Sequence, residues 1–464
     1  MRSVSRLLAV VIGCCVAAGC ASGSSGSGSG SPPADAGSGS GGTGGGSTDA
    51  GTGGSTDAGA GGGGGTADAG GGGGGTDGGT AGGGGGTDGG PIVSDCAGLV
   101  PASLPTTVVY QATYSTPSQP NFCGLPIGDG NGYVALETFY GSHPVYTLLT
   151  PSGLSNGSFS LWHGQAWPKP AGFIAYGGSS SLQLVGVNAF DDSGHEIGSP
   201  AVTGSAIFAS DPNGGLFAVG KFHPGGAPGP LPAHPVVELF NADATVRYGP
   251  VNLGTDAPVF GAGVDLAGRA VVVVDGSALF GSGSVAAIWF DAHGAPMTGL
   301  FQVLADFHPG PSTWFETSPL IGSGLALRRM DVVPSGSFTE ERRTSQWLAL
   351  LPSGEAHAAA SPDWLAQRPN TNLQFARSRL AYAFSPWAAD VPACAQQVEV
   401  VSPSGNSCGT VSFPVDASAC TTRELRIGLD GTVAQMLPAS REQNQPAGST
   451  VFTCTLRYWP GALH

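Results

Sequence analysis

The sequence predicts an all-β fold, a seven-bladed β-propeller, following a long glycine-rich leader. One structural unit stands in the chain twice: Ile207 to Gly220 with Val236 to Leu253, then Val259 to Val274 with Val285 to Leu304. Each copy holds four short strands, two hairpin turns carrying Asp or Asn, and a loose loop between the hairpins, and repetition at about 50 residues is the signature of a propeller blade. The second hairpin of that unit then recurs along the chain, with Gly153, Gly194, Ala244, Gly294, Gly354 and Gly405 at equivalent turn positions, 41, 50, 50, 60 and 51 residues apart. Rings of six or eight blades are the neighbouring alternatives.

Taken in order, Asn131 to Tyr140 and the hairpin Leu148 to Leu161 belong to the first blade, and Ser181 to Phe190 with Asn188 to Gly198 to the second. The duplicated unit supplies blades three and four. Ser323 to Val333 and Trp347 to Ala359 make the fifth, and Ser378 to Trp387 with Val398 to Phe413 the sixth. Leu425 to Leu437 and Val451 to Trp459 begin a seventh that is one strand short, while Thr106 to Tyr114 has no partner near the start. A propeller removes an exposed sheet edge by joining such leftovers, so this strand is expected beside Val451 to Trp459. Gly and Pro are too frequent for any long amphipathic helix.

The first segment carries Arg2 and Arg6 and then an apolar run from Leu7 to Ala18, which reads as a secretory signal too short to span a bilayer. Its end, Ala17-Ala18-Gly19-Cys20, resembles the lipobox of bacterial lipoproteins, which implies acylation of Cys20 after removal of residues 1–19. Ala17 departs from the Leu more usual there; Val11-Ile12-Gly13-Cys14 fits the same pattern, and plain cleavage near Ala18 is a third reading. Neither Ala21 nor Ser22 is an aspartate that would signal inner-membrane retention, so export to the outer membrane or cell surface is expected. Residues 20–90 form the linker: from Ala21 to Gly90 there are 35 glycines and six aspartates, with no aromatic, branched aliphatic or basic residue. Such a segment has nothing to bury and cannot offset its ordering entropy. The organisation as a whole is similar to that of glycine-linkered surface lipoproteins of high-GC predatory or soil bacteria. That resemblance implies an address and carries no catalytic motif.

Residues 91–464 are the propeller domain. Without two arginines and six aspartates of the leader, the overall charge of −15 becomes −11, and Lys169 and Lys221 are the only lysines, so a basic footprint for nucleic acid is lacking. Six cysteines follow the signal, Cys96, Cys123, Cys394, Cys408, Cys420 and Cys454, an even number that points to disulfides in an exported chain. Proximity favours Cys96 with Cys123, Cys394 with Cys408 and Cys420 with Cys454, although the sequence alone cannot choose among the pairings. No Cys-x-x-Cys and no His near these cysteines suggest zinc.

Chemistry-bearing motifs are sparse. Phe222-His223-Pro224-Gly225 and Phe307-His308-Pro309-Gly310 repeat, but at inequivalent places, and Pro-Gly after His is a turn. Asp129-Gly130-Asn131-Gly132 with Glu137 has part of a calcium loop and lacks its later ligands; the hairpin-turn reading is preferred. Asp191, Asp192, His195 and Glu196, and likewise Glu340, Glu341, Arg342 and Arg343, read as solvated tips. Gly281-Ser282-Gly283 and Gly322-Ser323-Gly324 lack the strand and helix a nucleophile elbow needs. There is no Trp-Asp with a paired Gly-His, one Tyr-Gly-Gly (Tyr176 to Gly178) of the kelch kind, and no Asp-x-Asp-x-Asp-Gly loop.

Among eight tryptophans, Trp289 and Trp347 lie within strands and are expected between blades. Trp167, Trp314, Trp364 and Trp387 lie at strand ends or in Pro-rich loops, where core packing is favoured and a ligand-binding rim is the alternative. The expectation is a non-enzymatic surface binding or scaffolding module for a protein or glycan, with no cofactor or metal, held to a membrane through its lipid only. The rival is a secreted propeller hydrolase or lyase acting on polysaccharide or peptide, with Glu137, Glu316 and Asp363 as available carboxylates but no assigned catalytic residue.

Overall fold

A computed structural model describes residues 95–463, apart from 117–123, 141–142, 180–184, 199–202, 224–230, 308–312, 323, 336–339, 355, 370, 378–380, 387–395, 415–424, 438–439 and 442–449. The described strands form seven four-stranded antiparallel blades. After β1 (Val108–Thr116), blade 1 takes β2 (Ile127–Gly128), β3 (Val134–Tyr140), β4 (His143–Leu149) and the first half of β5 (Ser155–Pro168). The second half of β5 is the inner strand of blade 2, followed by β6 (Phe173–Ser179), β7 (Val185–Phe190) and β8 (Glu196–Gly198). Blade 3 is β9 (Thr203–Ser210), β10 (Leu216–His223), β11 (Val236–Phe240) and β12 (Val246–Asn252). Blade 4 is β13 (Val259–Val264), β14 (Ala270–Asp275), β15 (Val285–Phe290) and β16 (Phe301–Leu304), with the short helix α1 (Ser277–Phe280) in its middle loop.

Blade 5 is β17 (Thr313–Pro319), β18 (Leu325–Ser335), β19 (Glu340–Leu350) and β20 (Ala358–Ala360). Helix α2 (Asp363–Ala366) leads to blade 6: β21 (Thr371–Ala376), β22 (Ala381–Pro386), β23 (Gln396–Val401) and β24 (Ser407–Phe413). Blade 7 is β25 (Leu425–Ile427), β26 (Val433–Met436) and β28 (Thr450–Trp459), with β27 (Ser440–Arg441) also on β28, and β1 as its outer strand. The register runs from Val108 opposite Tyr458 to Thr116 opposite Thr450, so the leftover strand closes the ring as its missing partner required. One correction concerns Glu340 to Arg343. They stand in β19 opposite Ser335 to Val332 and are not a loop tip, because the blade 5 hairpin is longer than its siblings.

Packing follows from the sequence pattern. The middle strands are buried on both faces and therefore read as largely apolar runs. In β14, Ala270, Val272 and Val274 pack with Phe217, Val219 and Val237 of blade 3, while Val271 and Val273 pack with Phe315, Leu325 and Leu327 of blade 5. Outer strands have one face in water, and the end of β24 alternates accordingly, with Thr410 and Ser412 exposed and Val411 and Phe413 buried. Seven apolar clusters among the described residues fill the seven seams between neighbouring blades, including that of blades 7 and 1, where Met436, Leu456 and Tyr458 meet Val134, Leu136 and Leu149.

The repeated hairpin motif has a local cause. An Asp carboxylate accepts backbone N–H groups two and four residues on, and the fourth residue of the turn takes positive φ, a conformation that favours glycine. Asp265 Oδ1 accepts from Ala267 and Arg269 N, both at 2.9 Å, and Asp291 Oδ1 from His293 and Ala295 N, both at 2.8 Å. Inner and outer hairpin turns lie at one end of the ring, the hairpin end; the second-to-third-strand loops and the blade-to-blade connections lie at the other, the loop end.

The chain enters the ring at the hairpin end. Asp95 accepts bonds from Ser402 Oγ at 2.6 Å, from Asn406 Nδ2 and from Ser404 Oγ, all in the outer turn of blade 6. Leu99 is buried in the blade 6–7 seam with Val398, Phe413 and Trp459. Cys96 is bonded to Cys408 on β24, which overturns the pairing of Cys96 with Cys123 and of Cys394 with Cys408. Proximity in sequence misled because closing a ring brings the entering segment, 312 positions away, beside blade 6. Cys454 on β28 is disulfide-bonded as well, whereas Cys123, Cys394 and Cys420 lie outside the described residues.

Candidate functional site

The carboxylates Glu137, Glu316 and Asp363 do not converge. Glu137, on the second strand of blade 1, accepts a bond from Tyr146 Oη at 2.8 Å, and burial pushes its carboxyl above the usual range. Asp363 is exposed at the start of α2. Glu316 lies on β17, the inner strand of blade 5, and belongs to a polar array that includes residues the sequence reading missed.

That array is built on strand alternation. Phe315 and Thr317 face blade 4, where Gly261 and Gly263 of β13 leave room for them: a Cβ on Gly263 would lie 2.5 Å from Thr317 Oγ1. Thr317 Oγ1 donates to the Ala262 carbonyl at 2.8 Å, which fastens the two inner strands. Trp314 and Glu316 stand on the other side of β17, toward blade 6. Trp314 Nε1 donates to Glu316 Oε1 at 2.9 Å, and Arg328 Nε donates to Glu316 Oε2 at 3.0 Å with Nη2 on the same oxygen. Arg328 Nη1 reaches across the seam to the Thr371 carbonyl of β21 at 2.5 Å, and its guanidinium lies 5.0 Å from the centre of the Trp347 ring.

Arg328 is 2% exposed, so its charge needs this set of partners; a buried cation without them is expensive. The Glu316 side chain remains 44% exposed and Trp314 is half-buried. The array continues outward along the seam. Trp347 Nε1 donates to the Arg368 carbonyl at 3.3 Å, and Arg368 pairs with Glu399 through Nε at 2.8 Å and Nη2 at 2.6 Å, holding the Glu399 carboxyl below its usual range. Arg328 stands beside Arg329 in a mostly apolar stretch, Leu325 to Met330. Its one legible signal is position: it shares a strand face with buried Ala326 and Met330 and is therefore a buried arginine.

A second polar cluster sits at the hairpin end. Asp129, wholly buried, accepts from Asn131 N, Tyr133 N and Gly172 N at 2.9, 2.8 and 3.0 Å, tying the inner turns of blades 1 and 2 together. Burial first, and then the neighbouring Asp192 carboxyl, push Asp129 upward in pKa. Lys169, 5% exposed, has its amine pushed down by burial, opposed by the field of Asp192, Asp191, Asp129 and Asp243. The Asp129 loop is thus a turn that uses its carboxylate on backbone donors. Asp191 likewise caps Ser193 and His195; His195 and Glu196 are exposed, as expected of a solvated tip, whereas Asp192 is half-buried and accepts from Asn131 Nδ2 at 3.0 Å. Among the described residues no group of three or more His, Cys, Asp or Glu is placed to hold a metal ion.

Trp289 and Trp347 are buried between blades as expected, and Trp459 joins the blade 6–7 seam. Trp167 packs on Phe208 at 5.9 Å and Trp364 on Tyr382 at 4.8 Å, so both serve seams. Trp387 lies outside the described residues, as does His308, and nothing is described of the His223 side chain. The phenylalanines of those two tetrapeptides, Phe222 and Phe307, are core.

Comparison with protein families finds no match, and comparison with curated proteins finds none. Solved structures with a similar fold include prolyl oligopeptidase B from Galerina marginata, at 8% identity and a TM-score of 0.40, over 72% of this chain and 51% of that one. The β-propeller domain of the Trilobed protease from Pyrococcus furiosus aligns at 8% identity and a TM-score of 0.40, over 72% of this chain and 93% of that domain. A puromycin-hydrolyzing peptidase from Mycobacterium tuberculosis aligns at 11% identity and 0.35, over 68% and 50%. The chain spans about half the length of the first and the third. The seven-bladed β-propeller is therefore defined by strand pairing and by its seams.

Proposed function

We propose that the chain is an exported, lipid-tethered binding or scaffolding module that presents a propeller to a protein or glycan partner. The observation that supports it is the ring itself: it is closed by β1 on β28 and clasped by Cys96–Cys408, and it follows a leader that ends its apolar run in a lipobox-like Cys20. A ring closed this way resists fraying and suits the fixed display of loops.

Two measurements test it. Expression of the full chain in a bacterial host fed labelled palmitate should give a labelled membrane-bound protein, and Cys20→Ala should lose the label. The full chain should also retain glycan or peptide ligands without converting them. Turnover that disappears on a single carboxylate substitution would replace this reading with the hydrolase or lyase alternative.

A further inference from the structure

We propose that the outer edge of β1 is an interface for a second copy of this chain, the two β1 strands pairing antiparallel about a two-fold axis so that their seventh blades form one continuous sheet. This does not depend on the binding-module reading.

A free sheet edge is a template for another strand, and folded proteins blunt it with shortness, bulges, proline or charge. The outer strands of blades 1, 2, 3, 4 and 6 each carry a register shift against their neighbour, and that of blade 5 has three residues. Blade 3 adds Arg247 and Pro250 to its outer strand. β1 differs on every count. It has nine residues, pairs with β28 from Val108 to Thr116 without a shift, and holds no charged residue, glycine or proline. The cause lies in the path of the chain. In blades 1, 2, 3 and 6 a shift stands next to the outer turn, whereas β1 meets β28 by closure of the ring, where no turn bends the register.

The backbone groups of this edge point outward. Leu437 N donates to the Thr455 carbonyl at 2.9 Å, on the side of β28 away from β1. Backbone direction alternates along an antiparallel strand, so Gln111, opposite Thr455, turns its N–H and C=O away from β28, and Val109 and Thr113 do the same. Among the described residues no strand lies beyond them. Val109 is 54% exposed, and Gln111 and Thr113 are exposed as well. Val108 and Tyr110 pack on the blade 7–1 seam and hold the strand in place.

The chain itself supplies the matching strand. Strand addition gains main-chain hydrogen bonds from an extended partner and selects among partners through side chains. Between identical strands antiparallel pairing is isologous, so one copy occupies the edge and growth stops. With no charge from Val108 to Thr116, no like charges meet across the axis, although the chain carries −15 overall. A two-fold axis at Ala112 sets Gln111 of each copy opposite Thr113 of the other. Gln111 and Thr113 already make such pairs with β28: Gln111 Nε2 donates to Thr455 Oγ1 at 3.3 Å, and Thr113 Oγ1 lies 3.2 Å from Thr453 Oγ1. Nine residues form a short edge against a standard interface of about 1,600 Å², so the dimer is weak and depends on concentration.

Sedimentation velocity of the full chain, from low micromolar to near-millimolar concentration, reads the dimer. The chain should pass from monomer to dimer, and amide exchange in the peptide spanning residues 108–116 should slow as it does. Gln111→Lys with Thr113→Lys sets like charges across the axis and should weaken association at least about tenfold, or about 1.4 kcal/mol. Gln111→Pro removes an outward N–H that the ladder with β28 does not use, and should weaken it likewise. Gln111→Ala with Thr113→Ala leaves the edge uncharged and should keep the dimer, which separates a blocked edge from a damaged strand; each variant's thermal transition is read alongside. A chain that stays monomeric throughout overturns the second copy as occupant. A dimer that survives both the lysine and the proline variants, or that forms without slowing exchange in residues 108–116, overturns the edge as the interface.

Discussion

At the residue scale, the turn positions show how one backbone requirement is met by two residue types. Gly294 and Ala244 hold the same place in successive blades, with φ of 86° and 63°. A non-glycine residue there costs roughly 1 kcal/mol, but the Ala244 methyl is buried in the blade 2–3 seam and recovers about 0.8 kcal/mol. Ala244→Gly should therefore shift the denaturation midpoint very little. Gly294→Ala should cost more than about 1 kcal/mol, because its Cβ would stand 2.5 Å from the Tyr248 ring in addition to the φ penalty. Equal effects of the two substitutions in urea unfolding would contradict this account.

Glu238 gives a second prediction at the same scale. It is 2% exposed opposite Ala218 on the face of β11 that packs against blade 2, and its Oε2 has no hydrogen-bond partner among the described residues. Burial raises its carboxyl from 4.5 to about 7. Below 4.5 the group is neutral in both states and adds no pH-dependent term. As pH rises to 7 the unfolded chain ionises first, so stability falls, by about 3 kcal/mol from this group once pH exceeds 7. Glu238→Met should stabilise the protein at pH 8 and change little near pH 4, in paired thermal melts.

At the scale of elements, β1 is the decisive strand, because among the described residues the outer edge of β28 has no other cover for its backbone donors and acceptors. Deleting residues 92–115 should abolish the cooperative unfolding transition, as followed by near-ultraviolet circular dichroism. A truncated chain that melts like the full one would show that the ring holds without its closure. The element also carries Thr107 just before it, whose Oγ1 accepts from Trp459 Nε1 at 2.9 Å, so closure fixes the last core tryptophan too.

At the scale of the whole molecule, the clasp at Cys96–Cys408 acts on the unfolded chain as much as on the folded one. A cross-link spanning 312 residues removes loop entropy worth about 6 kcal/mol in the chain-entropy treatment. The double variant Cys96→Ser with Cys408→Ser should lose stability of that order in guanidinium unfolding, together with whatever Asp95 and Leu99 contribute as the entering segment loosens. A loss of less than about 1 kcal/mol would mean that β1 alone constrains the segment. The clasp also decides direction: the chain joins the ring at the hairpin end.

What the sequence by itself determined is whatever depends on periodicity. Apolar runs such as Ala270 to Val274 are legible because strands buried on both faces carry few polar positions, and the turns are legible because Asp and Gly are chosen by backbone geometry within five residues. The closing strand was legible too, since an unpaired strand at each end of a repeat has one economical partner. Only the tertiary structure decided which cysteine meets Cys96, that Glu340 to Arg343 extend a strand, and that Arg328 joins Glu316, Trp347 and Thr371. Those pairings bring together residues 12, 19 and 43 positions from Arg328 and 312 positions from Cys96. Local propensity is silent about such distances. They are set by how blades stack into a ring, where each seam joins side chains whose spacing along the chain reflects loop length and not chemistry.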